Sequence, residues 1–470
     1  MRDPKWLWLT TAVALLLGLI VALLVGCDFP PAQPTVSSGT PMGTPLPISP
    51  DLTTVPTDTT PVAGPTPEAV GTAITLTMWT TEAFSPTQTI TSGRILAQAA
   101  AAFEDAAAVG RPDPTGAEPH VRLRFVLKKP YGKGGVLDYL LTTKAVVPDL
   151  LPDLVVMDVD ELASAVQAGL LQPLDDLLPA DLVGDLYPFA RDASTFDGRL
   201  YGLQFQADLD HLVYDTGKMT IPPSSWPGVL AKPGPYIFPA GGQAGSVNDD
   251  FLIQYLAVRP WSPEGDGAED PVEPFLEAES LTAVLQYYQD GTSRGIFPAG
   301  ILDYHTTDDS WRDFLAGQAP MAHVSAHRYL TERERSHSSS AAPIPAINGA
   351  AQAINRGQVL ALVASDPIRQ SAAVEFMVRW MAPETNAGWN RATDYLPTRQ
   401  AALPHWDAGD SYTPFIHQQL QAARPRPSIP NYARTAAALQ QAVEAVLTGA
   451  ATPEEAAAQA IEAELGFRPQ

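Results

Sequence analysis

The chain has 470 residues, of which 45% are hydrophobic, and this is enough for one large two-lobed protein or two domains. Its formal net charge of -23 at pH 7 argues against nucleic-acid binding and against electrostatic docking to anionic lipid. The single cysteine, Cys27, stands in a targeting segment, which excludes disulfide bonds and thiol catalysis.

Residues 1–26 have the pattern of a lipoprotein signal peptide. Arg2 and Lys5 give a basic start, residues 7–25 are almost entirely apolar, and Leu-Val-Gly-Cys at residues 24–27 matches the lipobox motif. An uncleaved membrane anchor is the alternative, because the apolar run is near the length that spans a bilayer. That alternative requires no cysteine here, so we expect lipidation of Cys27 and a location outside the cytoplasm, anchored to the cell membrane.

Residues 27–72 are predicted to form the lipidated cysteine and a tether. After Cys27 this segment is rich in Pro, Thr, Ser and Gly and contains no Lys or Arg. It lacks the apolar content needed to fold. A flexible chain of this length has a root-mean-square reach of roughly 40 Å. The tether would therefore hold a domain of residues 73–470 near the membrane.

The first part of that domain alternates strand and helix patterns. Residues 74–79 and 121–127 alternate polar and apolar side chains, and residues 154–157 form a short apolar run, as in a parallel strand covered on both faces. Helices are predicted between these strands, which gives a doubly wound α/β lobe. Ligands meet the carboxyl ends of such strands. This rule nominates Trp79, Thr80, Thr81, Glu82, Asp158 and Asp160.

Residues 198–215 are predicted to form a long extended segment. A turn at Asp197 and Gly198 is followed by alternating apolar positions, which indicates one buried and one solvated face. Asp208 and Asp210 then lie two residues apart on the same face. Two adjacent carboxylates in an apolar strand are costly unless something binds them. An edge strand with a solvated acidic face is the alternative.

Several ordered segments carry a family resemblance. They are Pro-Asp-Leu-Val-Val-Met-Asp at 152–158, Gly-Leu-Leu-Gln-Pro-Leu-Asp at 169–175, the crossing segment at 198–215, the motif from Phe314 to Met321, and Tyr-Leu-Pro-Thr-Arg at 395–399. Together they resemble the extracellular solute-binding proteins of bacterial ABC importers, family 1, which includes maltose-binding protein. The resemblance covers about residues 74–464. Gln204 and Asp215 depart from the family's usual Pro and Asn.

The resemblance implies an α/β, two-lobed periplasmic-binding-protein-like fold with a hinge of crossing segments. Lobe 1 would span about 73–205 and 353–405, and lobe 2 about 206–352 and 406–470. Asp208 stands where the family often carries a ligand-binding acid. Further cleft candidates are Ser325 and His327 beyond a predicted strand, Tyr395 near the lobe junction, and the aromatic residue Tyr236.

The chain shows no catalytic or phosphate-binding motif. Asp208 and Asp210 would lie on one side of a sugar and could not flank a scissile bond as a glycosidase pair does. His323 and His327 are predicted to lie in a strand, which does not favour a shared metal. Tyr287 and Tyr288 resemble the tyrosine pair of iron-binding relatives, but their helical spacing favours the core. We expect no enzyme activity, catalytic residue, metal or cofactor.

The resemblance implies a lipid-anchored solute-binding component of an ABC importer. It would capture a carbohydrate by hinge closure and deliver it to the membrane permease, acting as a monomer. One alternative is a binder of another solute, such as a polyamine or another small polar ligand. The other is a ligand-sensing lipoprotein without a transport role.

Overall fold

The computed structural model describes residues 74–87, 89–109, 121–232, 234–259, 275–336, 338–350, 353–406, 409–427 and 432–466. The predicted signal peptide, Cys27 and tether lie outside these residues. The strands are β1 (Ile74–Thr80), β2 (Val121–Leu127), β3 (Leu154–Asp158), β4 (Thr195–Phe196), β5 (Arg199–Leu200), β6 (Gly202–Asp208), β7 (Asp210–Asp215), β8 (Tyr236–Ile237), β9 (Met321–Ser325), β10 (Ser339–Ala342), β11 (Pro345–Ala346), β12 (Gly349–Ala350), β13 (Ile354–Leu362) and β14 (Arg424–Pro425).

The α-helices are α1 (Thr91–Val109), α2 (Val136–Val146), α3 (Leu162–Gln167), α4 (Ala180–Gly184), α5 (Pro188–Asp192), α6 (Trp226–Leu230), α7 (Asp249–Val258), α8 (Ala278–Ser293), α9 (Thr307–Leu315), α10 (Ala326–Glu332), α11 (Pro367–Trp380), α12 (Pro383–Thr393), α13 (Tyr412–Ala422), α14 (Tyr432–Leu447) and α15 (Pro453–Leu465). Short 3-10 helices lie at Glu82–Phe84, Pro148–Leu150, Val159–Glu161, Ile301–Asp303, Arg333–Arg335 and Gln400–His405.

The larger sheet has the strand order β14-β13-β3-β1-β2, and β6 also pairs with β13. Strand β1 runs parallel to β2 and β3, whereas β13 runs antiparallel to both β3 and β6. The three strands predicted from residues 74–79, 121–127 and 154–157 are therefore confirmed as β1, β2 and β3. We call this sheet and its covering helices lobe 1.

Lobe 1 has a hydrophobic core on each face of its sheet. On one face, Leu76, Met78 and Leu154 pack with aromatic residues that include Phe84 and Trp380. On the other face, the alternate residues of the same strands pack against the start of α2 and against α3. Apolar side chains on both faces are what a doubly wound sheet requires. The predicted α/β fold class is confirmed.

The second sheet has the order β10-β7-β9-β8, with β8 parallel to β9 and the other pairs antiparallel. We call this sheet and its helices lobe 2. Its core contains Trp311, Tyr287 and Tyr288, which are 1%, 4% and 2% exposed. The expectation that the tyrosine pair lies in the core is thus confirmed.

The segment at 198–215 differs from its prediction. It is not one strand with a solvated face, because Leu209 separates β6 from β7 and the two strands belong to different sheets. All residues of β6 before Asp208 are buried. Covering helices on both faces of lobe 1 exclude solvent from the polar positions Gln204 and Gln206, which are 0% and 4% exposed.

The two sheets come close together where this segment crosses, because Leu209 alone separates β6 of one sheet from β7 of the other. Strands β1, β3 and β6 end at one edge of the larger sheet, and β13 begins there, with Arg356 opposite Asp208. In lobe 2, Asp210 at the start of β7 lies opposite Ser325 at the end of β9. The fold thus brings polar strand ends of both lobes to one place.

Within the described ranges, no helix combines the length and apolar character needed to cross a membrane.

Candidate functional site

A cavity of about 470 Å³ lies where the two sheets meet. This volume falls within the range of small-molecule sites in proteins, about 300–1,000 Å³. Its walls come from the crossing segment, from loops of lobe 2 and from strand β13. It is lined by Asp208, Asp210, Pro239, Gln243, Ser246, Val247, Asn248, Asp249, Asp250, Thr306, Thr307, Asp308, Ser325, His327, Arg356, Arg426 and Tyr432.

Arg356 lies at the centre of the charged wall. Its two terminal nitrogens donate to the carboxylate of Asp210 at 2.6 and 2.7 Å, a bidentate pair. The same guanidinium donates to Asp249 at 3.0 Å and lies 3.5 Å from Asp208. Burial opposes the charge on Arg356, but the adjacent aspartates, Asp210 foremost, outweigh it and raise the arginine pKa. Arg356 therefore stays cationic and links β13 of lobe 1 to β7 and α7.

Arg426 follows β14 and makes a second link between the lobes. It donates to Asp249 at 2.7 Å, at the first position of α7, and to Asp160 at 2.5 Å, just beyond β3. Burial disfavours the charged form of Asp249, but Arg426 and Arg356 outweigh burial and lower the Asp249 pKa. This aspartate is thus ionised and held between two arginines from different crossing segments.

Three acids at this junction ionise less readily than they would in water. Burial raises the pKa of Asp160 to about 6, although Arg426 opposes the shift. Burial also raises the pKa of Asp208, again against the opposing charge of Arg356. The adjacent Glu161 has its pKa raised to about 7 by burial and by the charges of Asp158 and Asp160. The charged forms of these three acids are therefore less fully compensated than that of Asp249.

Backbone and ring contacts fix the position of Asp208. Its Oδ1 accepts hydrogen bonds from the backbone N–H groups of His327 and Leu209, each at 3.0 Å. The His327 ring stacks on Tyr395, with ring centroids 4.2 Å apart and planes 7° apart. Ser325 caps α10 by accepting the N–H of Arg328 at 3.1 Å. The start of α10 thus holds the crossing segment from the lobe 2 side.

A buried chain of polar groups leads from the cavity into lobe 2. The hydroxyl of Tyr236 contacts Nε2 of His323, and Nδ1 of His323 contacts the carboxylate of Asp250. Tyr236, His323 and Asp250 are each 2% exposed. Burial raises the pKa of Asp250, against the effect of His323. Of these three side chains, Asp250 alone lines the cavity.

The structure brings some of the predicted site residues together. Asp208, Ser325 and His327 line the cavity. Asp160 is joined to it by Arg426, and Tyr395 supports the His327 ring from behind. Asp158 lies beside them and accepts a hydrogen bond from the hydroxyl of Tyr131 at 2.7 Å. These six residues form one neighbourhood, although they come from four separate stretches of sequence.

Eight of the eleven predicted residues do not line the cavity. Asp158, Asp160 and Tyr395 lie beside it, and the other five are Trp79, Thr80, Thr81, Glu82 and Tyr236. Thr80 is fully buried and donates to the carbonyl of Phe84 at 2.7 Å, and Tyr236 lies in the lobe 2 core. Neither side chain faces the cavity, because both lie in packed cores. Trp79 and Thr81 are 7% and 4% exposed. Glu82 is exposed.

The neighbours of Trp79 explain why its side chain does not line the cavity. Its ring packs at 6.2 Å against Tyr139 of α2 in an edge-to-face geometry, and the Nζ of Lys128 lies 4.5 Å from its centroid. The indole is therefore covered by α2 and by the segment after β2. His323 lies within β9, whereas His327 lies beyond the end of this strand, in helix α10.

Sequence reasoning missed Arg356, Arg426, Asp249 and Asp250 as site residues. Nothing local distinguishes these arginines from surface ones, since their partners lie 107 to 266 residues away in sequence. Two loops of lobe 2 lie at residues 240–249 and 304–309. Both contribute to the cavity wall. Asn248 ties them together by donating to the carbonyls of Pro239 and His305 at 3.2 and 3.1 Å.

Sequence comparison places the chain among known proteins. A profile of the family described as bacterial extracellular solute-binding protein matches residues 139–413. The maltotriose-binding protein of Pyrococcus abyssi (strain GE5 / Orsay) is 32% identical over 75 residues. That alignment covers 16% of this chain and 17% of the relative, so the chain spans about one sixth of the relative's length.

Structural comparison extends over most of the chain. A cyclo/maltodextrin-binding protein complexed with maltotetraose aligns with a TM-score of 0.65 and 19% identity, covering 85% of this chain and 98% of that one. The maltose-binding periplasmic protein of Listeria monocytogenes aligns with a TM-score of 0.64 and 15% identity, covering 84% and 99%. The cyclic alpha-maltosyl-1,6-maltose binding protein of Arthrobacter globiformis aligns with a TM-score of 0.61 and 19% identity, covering 84% of this chain and 98% of that one.

At these identities the structural likenesses establish the fold, which is the two-lobed fold of the maltose-binding proteins. The family profile covers more than half of the chain and includes the crossing segment, the lobe 2 sheet and Arg356. Its members are binding proteins and not enzymes. The chain belongs to the family of bacterial extracellular solute-binding proteins.

Proposed function

We propose that this protein is the lipid-anchored, extracytoplasmic solute-binding component of an ABC importer. It captures a carbohydrate between its two lobes by hinge closure and delivers it to the membrane permease. The observation that carries the proposal is the cavity of about 470 Å³ at the lobe junction. It lies at the carboxyl edge of a doubly wound sheet, where ligands of such folds bind.

The chemistry of the cavity wall supports a hydroxyl-rich ligand. Asn248, Thr306, Thr307 and Ser325 supply amide and hydroxyl groups, which can donate to and accept from sugar hydroxyls. The proteins with the same fold include ones described as bound to maltotetraose, maltose and maltotriose. Another is described in complex with acarbose and an acarbose homolog. A saccharide is therefore the first ligand class to test.

The proposed division of the chain into signal peptide, tether and lobes uses the boundaries predicted from the sequence. Residues 1–26 are removed as a signal peptide, Cys27 carries the lipid, and residues 28–72 tether the domain. Lobe 1 spans about 73–205 and 353–405, and lobe 2 about 206–352 and 406–470. Closure would rotate the lobes about the crossing segments, which contain Asp208, Arg356 and Arg426. The protein acts as a monomer until it docks on its permease.

Thermal unfolding tests the binding proposal. The mature chain, residues 27–470, is heated with mono- and oligosaccharides and with polyols. A ligand at about 1,000 times its dissociation constant stabilises the folded state by roughly 4 kcal/mol, a shift of several degrees. We expect a shift with one saccharide class, and Asp208→Ala should weaken that binding at least tenfold without unfolding the protein. A panel without any shift would contradict the carbohydrate proposal.

Membrane fractionation tests the anchor. We expect the wild-type chain in the membrane fraction and the Cys27→Ser variant either retained as an uncleaved precursor or released. Labelling with a fatty-acid probe should mark the wild type and leave the variant unmarked. A wild-type chain that is unlabelled would remove the lipid anchor from the proposal and leave ligand binding untouched.

A further inference from the structure

We propose that the ligand carries at least one protonated amine among its hydroxyl groups, so that the cavity selects a cationic solute over a neutral sugar of the same size. This inference rests on the proposed function and specifies the chemistry of its ligand. Among the described residues, the cavity is lined by five aspartates and two arginines and by no lysine. The lining therefore presents a surplus of carboxylates.

The two arginines cannot offset this surplus, because their charges are already shared. Arg356 is held by Asp210, Asp249 and Asp208, and Arg426 by Asp249 and Asp160. Four carboxylates thus share two guanidinium groups. An anionic ligand would have to displace these contacts and would also meet the remaining carboxylates, so the wall disfavours it.

Asp208 is the least neutralised of the four. Its closest distance to Arg356 is 3.5 Å, whereas Asp210 pairs with the same arginine at 2.6 Å. Its side chain is 15% exposed at the cavity surface. A largely desolvated carboxylate whose arginine partner is 3.5 Å away and is shared with two other aspartates is incompletely neutralised, and a bound cation would relieve this cost. Burial raises the pKa of Asp208, in agreement with this view.

Asp308 supplies a second carboxylate on the lobe 2 wall. It pairs with Arg328 outside the cavity lining, and its side chain is 53% exposed. Asp208 comes from the crossing segment and Asp308 from the first turn of α9, so a ligand between them contacts both lobes. Closure of the two lobes would bring both carboxylates closer to an amine placed between them, and the amine would therefore bind more tightly in the closed form.

The rest of the lining fits a polar amine better than an extended sugar face. Polar side chains of Gln243, Ser246 and Asn248 lie on one wall. Among the described lining residues, the aromatic or imidazole rings are those of Tyr432 and His327, and the latter is already stacked on Tyr395. The wall therefore offers few rings on which a sugar face could lie, whereas its carboxylates can form charge-assisted hydrogen bonds with an ammonium group.

Isothermal titration with matched probes tests the inference. The mature chain is titrated with chitobiose, which carries free amines, with its neutral N,N'-diacetyl form, with maltose and with spermidine. We expect the amine-bearing probes to bind at least tenfold more tightly than the neutral ones. We also expect this advantage to fall several-fold between 10 and 300 mM NaCl, because salt screens charge attraction.

The four probes distinguish an amino sugar, a linear polyamine and a neutral sugar as the ligand. Tight binding of chitobiose supports an amino sugar, and tight binding of spermidine alone supports a linear polyamine and removes the carbohydrate from the proposed function. Equal or tighter binding of maltose or the diacetyl form overturns the amine inference and leaves the proposed function standing. No binding of any probe overturns both.

Two isosteric variants localise the charge effect. Asp208→Asn and Asp308→Asn each remove one carboxylate and keep the shape of the side chain. We expect about tenfold weaker binding of the amine-bearing probe in each and little change for a neutral probe. The control Asp303→Asn removes an exposed acid outside the lining. If both site variants behave like this control, the inference is overturned.

Discussion

His211, the second residue of β7, is fully buried and carries no ion pair in the described structure. Its Nδ1 donates to the carbonyl of Leu212 at 3.0 Å, and its Nε2 accepts from the hydroxyl of Tyr412 at 3.1 Å. Three aromatic rings surround it, those of Tyr329, Tyr412 and Phe415. Burial lowers the pKa of His211 to about 4, against the opposing charge of Asp210. The ring is therefore neutral at physiological pH.

This histidine makes folding sensitive to acid. Since its unfolded pKa is about 6.5 and its folded pKa is lower, the unfolded state binds the proton first as pH falls. The neutral ring therefore contributes about 3 kcal/mol to the free energy of unfolding. This contribution is fully present above pH 6.5 and is lost as pH falls toward 4. Urea unfolding of His211→Gln should show a flatter pH dependence over this interval. His405→Gln, at a 40% exposed histidine, is the control and should keep the wild-type slope.

Strand β13 shows how one element positions the site. It pairs with β3 and β6 on opposite edges, and its register with β6 shifts between Gln358 and Val359. Gly357 has a φ of +151°, and a Cβ there would lie 2.1 Å from the carbonyl oxygen of Gln206. The strands can therefore approach closely only because this residue is glycine. The adjacent Arg356 is thereby placed opposite Asp208.

Gly357→Ala should destabilise the protein by about 2 kcal/mol or more, because the backbone is strained for an L side chain and the new methyl group meets backbone atoms. The control Gly388→Ala lies in helix α12, where a Cβ would meet nothing within 4 Å. This control should stabilise by up to about 1 kcal/mol. Urea midpoints measure both. Changes of the same sign would show that the close approach of β6 and β13 is not a constraint.

At the scale of the whole molecule, an ion network connects the two lobes, and its residues come from three separate stretches of the chain. Asp208 and Asp210 come from the first, Arg356 from the second and Arg426 from the third. Asp210 and Asp249 are 2% and 6% exposed, so each depends on its arginine. Removing one partner of a buried pair leaves an uncompensated charge.

Arg356→Met should therefore cost about 3–5 kcal/mol of unfolding free energy. The matched control is Arg379→Met, whose pair with Glu375 on one helix face is 48% and 32% exposed. Exposed pairs of this kind contribute about 0.3–0.5 kcal/mol. Denaturant unfolding measures both variants. Equal, small losses would mean that the network is not required for lobe association.

The sequence by itself determined the strands and cores of lobe 1, since periodicity reports which side chains are buried locally. It also indicated the family, through ordered motifs, and it predicted Asp208, which lines the cavity. The tertiary structure alone decided the cavity. Arg356 pairs with Asp210 over 146 residues and Arg426 with Asp160 over 266. Such pairs leave no local pattern, because only the packing of the two lobes brings their charges within hydrogen-bond distance.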